Sequence, residues 1–255
     1  MRSSSMPTAT GGRFLAFRIV GWLIGIGTIV FGLAFFGLSL LSDDPVERSH
    51  RFHYLAILAG NSLIGVFAIL WVLRPDQSAH FHALVGQALA WLIGGLMGGD
   101  LVTGFYVTGV IGLVILIVLH PDPRSQMRLP GRPSVAMLTY AVITTVPAWI
   151  YAVTYAELQQ GPTSDPHVVL HHWSGIAVAA LSIVAAAISS SLRGTGWEVV
   201  AIVAAAAAVL FGVAGLVFSD LPGAPDPAWS WIAVAAGIGF WLLSRVEASR
   251  ETARA

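Results

Sequence analysis

Apolar stretches of about 20 residues recur along this chain, and that recurrence limits its fold more than any motif does. An α-helix rises about 1.5 Å per residue, so each stretch can cross the roughly 30 Å hydrocarbon core of a bilayer. The stretches read as 16–41, 53–73, 80–98, 101–120, 135–157, 168–192, 197–218 and 228–244. Only 10% of the residues are charged, against about 25% in soluble domains. The expected fold class is therefore all-α: a polytopic membrane protein with eight transmembrane helices. The first stretch is too long for a signal-peptide core and lacks a small-x-small cleavage site, so it reads as a retained helix.

The arginines predict the orientation. All 13 basic residues are Arg. Placing the N-terminus inside puts Arg2, Arg13, Arg18, Arg74, Arg124, Arg128, Arg132, Arg193, Arg245, Arg250 and Arg254 on the inner side, and only Arg48 and Arg51 outside. The positive-inside bias then gives cytoplasmic N- and C-termini in a bacterial plasma membrane. Trp22, Trp71, Trp173, Trp197, Trp229 and Trp231 fall near span ends, as interfacial aromatics do.

The Pro- and Arg-rich stretch 121–134 divides the chain. It separates a four-helix unit at 14–120 from another at 135–245, flanked by a disordered N-terminus at 1–13 and a C-terminal tail at 246–255. The halves match in outline. Asp44-Pro45 and Asp165-Pro166 each open an outer helix start rich in His, and Leu73-Arg74 and Leu192-Arg193 each close the helix that follows. Units with an even number of spans are parallel repeats. The Asp-Pro pairs need no functional explanation, because Asp at N-cap and Pro at N1 specify a helix start. Gly95 and Gly99 form a small-xxx-small pair for close packing, and Pro147 predicts a kink in the fifth span.

The histidines carry the candidate chemistry. His50 and His53 are three residues apart, and His167 and His171 are four apart, so each pair shares a helix face. Imidazole pairs bind transition metals or, as axial ligands, haem. His50, His53, His171 and His172 are the expected haem ligands; His50, His53, His167 and His171 are the alternative set for a zinc or copper ion. Glu47 and Asp100 are the candidate catalytic or proton-handling carboxylates. His80, His82 and His120 lie at inner helix ends and read as interfacial anchors. With no cysteine, thiolate sites and disulfides are excluded.

Glu47-Arg48-Ser49-His50-Arg51 resembles the Glu-x-x-His-Arg pattern of the heme A synthase family, whose members also have eight helices in two four-helix repeats. The resemblance implies a haem-facing His50, an acidic partner in Glu47, and His171 or His172 as the equivalent ligand in the second half. The chain departs from the family in having His in the fourth span only at its inner end (His120), none in the eighth, and no outer-loop cysteine pair.

Other classes stay open. A metal-dependent hydrolase would place zinc on His167, His171 and Asp100. A passive carrier of lipid or small apolar molecules fits the scarcity of mid-span charge. An accessory subunit fits the alanine-rich run Ala204 to Ala208, which lets helices approach closely. The expected partners are the lipid bilayer and a membrane protein or second copy. No basic patch beyond the inner arginines points to nucleic acid.

Overall fold

The computed structural model describes residues 11–99, 105–128 and 132–253. All of its regular elements are helical: α1 (Gly11–Leu41), α2 (Pro45–Ser49), α3 (Arg51–Leu73), α4 (Ser78–Met97), α5 (Phe105–Leu119), α6 (Pro123–Gln126), α7 (Val135–Gln159), α8 (Pro166–Val169), α9 (His172–Ser191), α10 (Trp197–Val217) and α11 (Pro227–Thr252). Seven of these, α1, α3, α4, α7, α9, α10 and α11, are long and apolar enough to cross a membrane. The shorter apolar α5 adjoins residues 100–104, which lie outside the described part.

Four helices start on an Asp-Pro pair. The carboxylates of Asp44, Asp165 and Asp226 each accept the backbone N–H two residues on, at 2.8–2.9 Å, and Asp122 accepts from Ser125 at 3.3 Å. Such a cap is worth about 1 kcal/mol. At Ser134 the hydroxyl caps α7 through the N–H of Met137 and also donates to Glu247. That second bond ties the start of α7 to α11. Glu247 also pairs with Arg250 and Arg193. These pairs carry α11 as a helix to Thr252 through residues expected to form a tail.

α9 is the centre of the bundle. Of its most apolar window 83% is buried, against 17% for α1 and for α7. α3 runs beside α9 in the same direction; α1 packs along α3, and α7 along α9. α4 lies against α9, and α10 against α3. Between helices in lipid, close packing replaces the hydrophobic drive, and here glycines permit it. A β-carbon at Gly60 would collide with Ala179, and one at Gly94 with Val178. Gly95 instead faces the Tyr106 ring of α5, and Gly99 turns the chain with φ +73°. Interhelical hydrogen bonds add to the core, among them Gln87 to the Ser182 carbonyl (2.9 Å) and Tyr106 to the Ser174 hydroxyl (2.8 Å).

Three tryptophans expected at the interface are packed inside: Trp71, Trp173 and Trp197 are at most 7% exposed. Trp229 and Trp231 are exposed. α7 continues through Pro147 as one unbroken helix.

Candidate metal centre

The connections 42–50, 160–171 and 218–226 meet at one end of the bundle, here the cap end. The opposite, arginine-rich end carries Arg13, Arg74, Arg193 and Arg245. At the cap end two short helices each stop just before a long one begins. α2 ends at His50, which then leads into α3. α8 ends at Leu170, and His171 takes a left-handed backbone (φ 56°) before α9 starts at His172. A side chain of α7 supports that break. Gln159 donates to the Val168 carbonyl (2.7 Å) and accepts from the Ser174 amide (3.2 Å). Backbone groups that the broken helix would leave unpaired are thereby satisfied.

The break changes which rings converge. Because it separates His167 from His171, these two do not share one helix face. His172 turns inward and His171 stays half-buried at the junction. His50, His53 and His172 are at most 6% exposed, and each offers a ring nitrogen within 4.8 Å of the others. His167 closes the group. The six ring-centre separations among the four imidazoles run from 4.5 Å (His50–His172) to 6.1 Å (His167–His172).

Buried ring nitrogens of all four lack a well-placed hydrogen-bond partner: His50 and His53 have only the backbone at Val46 and at Pro222 nearby, and Nε2 of His167 and Nδ1 of His172 have none. A buried polar atom left unpaired costs about 1–3 kcal/mol, so such a group is poised for a shared acceptor of lone pairs. His167 differs from the rest, since its Nδ1 is 2.8 Å from Asp165 Oδ1. Asp165 also accepts from the His167 backbone and from Trp173 Nε1 (3.1 Å). Burial opposes ionisation of Asp165, yet these hydrogen bonds hold its carboxyl below the usual range. Burial first, then the neighbouring His167, lowers the pKa of His50, with Glu47 and Asp165 opposing. The result is neutral imidazole, the form that binds metal.

Aromatic rings wall the group. Trp173 stacks on His167 (4.6 Å, 26°) and meets His53 edge-on (5.0 Å). Tyr54 lies against His50 and His172, and its hydroxyl donates to Glu47 at 3.3 Å. Glu47 thus stands one residue back from the rings. Arg51 turns away to donate to the Ser39 carbonyl at the end of α1 (3.0 Å), and Arg48 pairs with Asp43 at the surface. On the third side, Gly223 (φ +81°) packs directly on Nε2 of His53, a position only glycine fits. Asp100 lies outside the described residues. Sequence reasoning did not find Trp173, Tyr54 or Gly223 as site residues. Gly223 and His53 are 170 residues apart in sequence, with no local signal of their contact.

No protein-family model, curated protein or solved structure matches this chain. The molecule is defined by what it contains: a multi-pass helical membrane protein with a buried histidine cluster at one end of its bundle.

Proposed function

We propose that the cluster holds one transition-metal ion, bound by His50, His53, His172 and His167, and that the protein is a membrane metal or redox protein. The convergence of four imidazoles with unpaired buried nitrogens carries this reading. Four imidazoles on one ion at about 2.0–2.1 Å place their ring centres about 5 Å apart in a tetrahedron. The separations here, 4.5–6.1 Å, bracket that value. An all-imidazole set suits copper or zinc. Asp165 acts on His167 as carboxylates act on metal-bound His, fixing the tautomer and raising ligand basicity.

Haem, implied by the resemblance to the heme A synthase family, fits this geometry less well. A macrocycle held between two axial rings needs a slab of free space between them. His50 and His172 are in edge contact at 4.5 Å.

One observation favours a second reading of the same centre. His50, His53 and His172 alone form the tight triad, while His167 is tied to Asp165. A three-His site keeps a coordination position open for water, and an Asp–His pair beside it can take the proton from that water. The centre would then be hydrolytic. In both readings the fold is two parallel four-helix repeats with eight spans, and the cluster faces outward from a bacterial plasma membrane. The matching Asp-Pro starts of α2 and α8 support the repeat, as does the pairing of α1–α3 with α7–α9 and of α4–α9 with α10–α3.

The test is elemental analysis of detergent-purified protein with an absorption spectrum of the same sample. One equivalent of copper or zinc, lost in His53→Ala, supports the centre. Retention of metal by His167→Ala selects the open three-His form. A Soret band restores haem. A folded protein with neither metal nor haem removes the reading and favours a carrier or accessory subunit.

A further inference from the structure

Beside the histidines lies a cavity of about 320 Å³ between α7 and α11, floored by alanines of α9 and α10. Small-molecule pockets begin at about 300 Å³. α7 and α11 meet where Tyr140 donates to the Ala236 carbonyl (3.2 Å) and lies against Phe240. Toward the cap end the cavity is lined by exposed residues of both helices, Ile150 and Thr154 of α7 and Trp229 and Ile232 of α11. The cavity is elongated and graded. Tyr140 and Phe240 line its deep end, whereas Thr154, Tyr155 and Asp226 line the end nearest the caps.

The cavity and the histidine site share a wall of two stacked rings. Tyr155 lines the cavity and stacks on Trp173 (5.5 Å, 25°), which in turn stacks on His167. Tyr151 also lines it and donates to the Gly223 carbonyl (2.8 Å), the glycine that packs on His53. Among the described residues the one charged lining residue, Asp226, stands at the cap end, where it also caps α11.

We propose that this cavity binds the hydrocarbon chain of a single-chain amphiphile and brings its polar head to the Tyr155–Trp173 wall of the histidine site. The head's use there rests on the metal reading above; the binding of the chain does not. An almost wholly apolar, narrow and elongated space suits one acyl or isoprenoid chain rather than a compact polar ligand. The exposed lining residues of α7 and α11 give such a chain a way in from the side. The polar groups gathered at one end set its direction.

The test uses two photoreactive palmitic acids, one with a diazirine near the carboxyl group and one with it near the chain end, in protein reconstituted into nanodiscs. Labelled peptides are mapped with metal loaded and with metal stripped. The expected result is that the head-side probe labels Tyr151 to Tyr155 and the segment around Asp226. The chain-end probe labels residues around Tyr140 and Phe240. Unlabelled palmitic acid reduces both several-fold. Ala208→Phe with Ala233→Phe fills the cavity and abolishes the labelling, while size-exclusion behaviour and metal content stay unchanged. Equal labelling of the lipid-facing surfaces of α1 and α5, or identical sites for both probes, overturns the proposal. If the pattern holds in protein that binds no metal, the metal reading fails and the cavity assignment stands.

Discussion

The two ends of the bundle each bury three or more histidines, and they do opposite things with them. At the arginine-rich end His120 is closed on both sides. Its Nε2 is 3.0 Å from the Pro75 carbonyl, and its Nδ1 accepts from the Asp122 amide at 3.1 Å. Trp71 stacks flat on its ring. His80 and His82 are buried with unpaired ring nitrogens, but they join no cluster of possible ligands among the described residues. At the cap end, four rings meet one another. Burial alone, or even an orphaned nitrogen, therefore does not define a site. Convergence from several elements does, and here α2, α3, α8 and α9 supply it.

The largest expected contrast is in bound metal. His53→Ala or His172→Ala should empty the centre, whereas His80→Ala should leave its metal content unchanged in elemental analysis. Equal loss in both would erase the distinction between the ends. Next comes the carboxylate beside each histidine. Asp165→Asn should weaken metal affinity about 10–100-fold in a competition titration, the usual cost of losing such a partner. Asp122→Asn should cost a helix cap and leave affinity untouched. An unchanged affinity for Asp165→Asn would remove His167 from the ligand set.

Two left-handed glycines offer a finer comparison. Gly223→Ala and Gly196→Ala both force a side chain into φ above +80°, a strain of about 1–2 kcal/mol. Only the first drives a β-carbon into His53; the second meets Gln77. Both should lower the melting temperature, but only Gly223→Ala should also shift metal affinity. The smallest effect is in the pH dependence of the metal-free protein. Burial lowers the pKa of His50 and of His120, so the unfolded chain takes up protons that the folded one refuses. Their stabilisation is present above about pH 6.5 and fades as pH falls below it. Melting temperature should drop from pH 7.5 to 5, and His50→Gln and His120→Gln should each flatten part of that slope. A slope unaltered by His50→Gln would mean that ring is accessible to protons in the fold.

The membrane-spanning helices were legible because length and apolarity are local properties, and the Asp-Pro starts because a cap involves residues two apart. The break at Leu170–His171 was not legible. Gln159 of α7 supports it, and only the fold brings that side chain near. The same reason hid the inside placement of Trp71 and Trp173. In the site, His50, His53, His167 and His172 could be named from the sequence, but His171, named with them, stays at the junction outside the cluster. Their wall could not, since Tyr54, Trp173 and Gly223 become neighbours only through packing. Gly95 and Gly99 read as one packing pair, yet one faces Tyr106 and the other makes a turn. Spacing does not reveal which neighbour a glycine serves.

The contact between Gly60 and Ala179 has a mechanical side. His53 lies seven residues above Gly60 on α3, and His172 lies seven above Ala179 on α9, so both rings stand about 10 Å from one shared pivot. The two helices form a caliper whose jaws are imidazoles and whose rivet is a missing methyl group. Thickening the rivet would spread the jaws without touching either of them. The spacing of the two rings is thereby set two helical turns down, near the middle of α3 and α9.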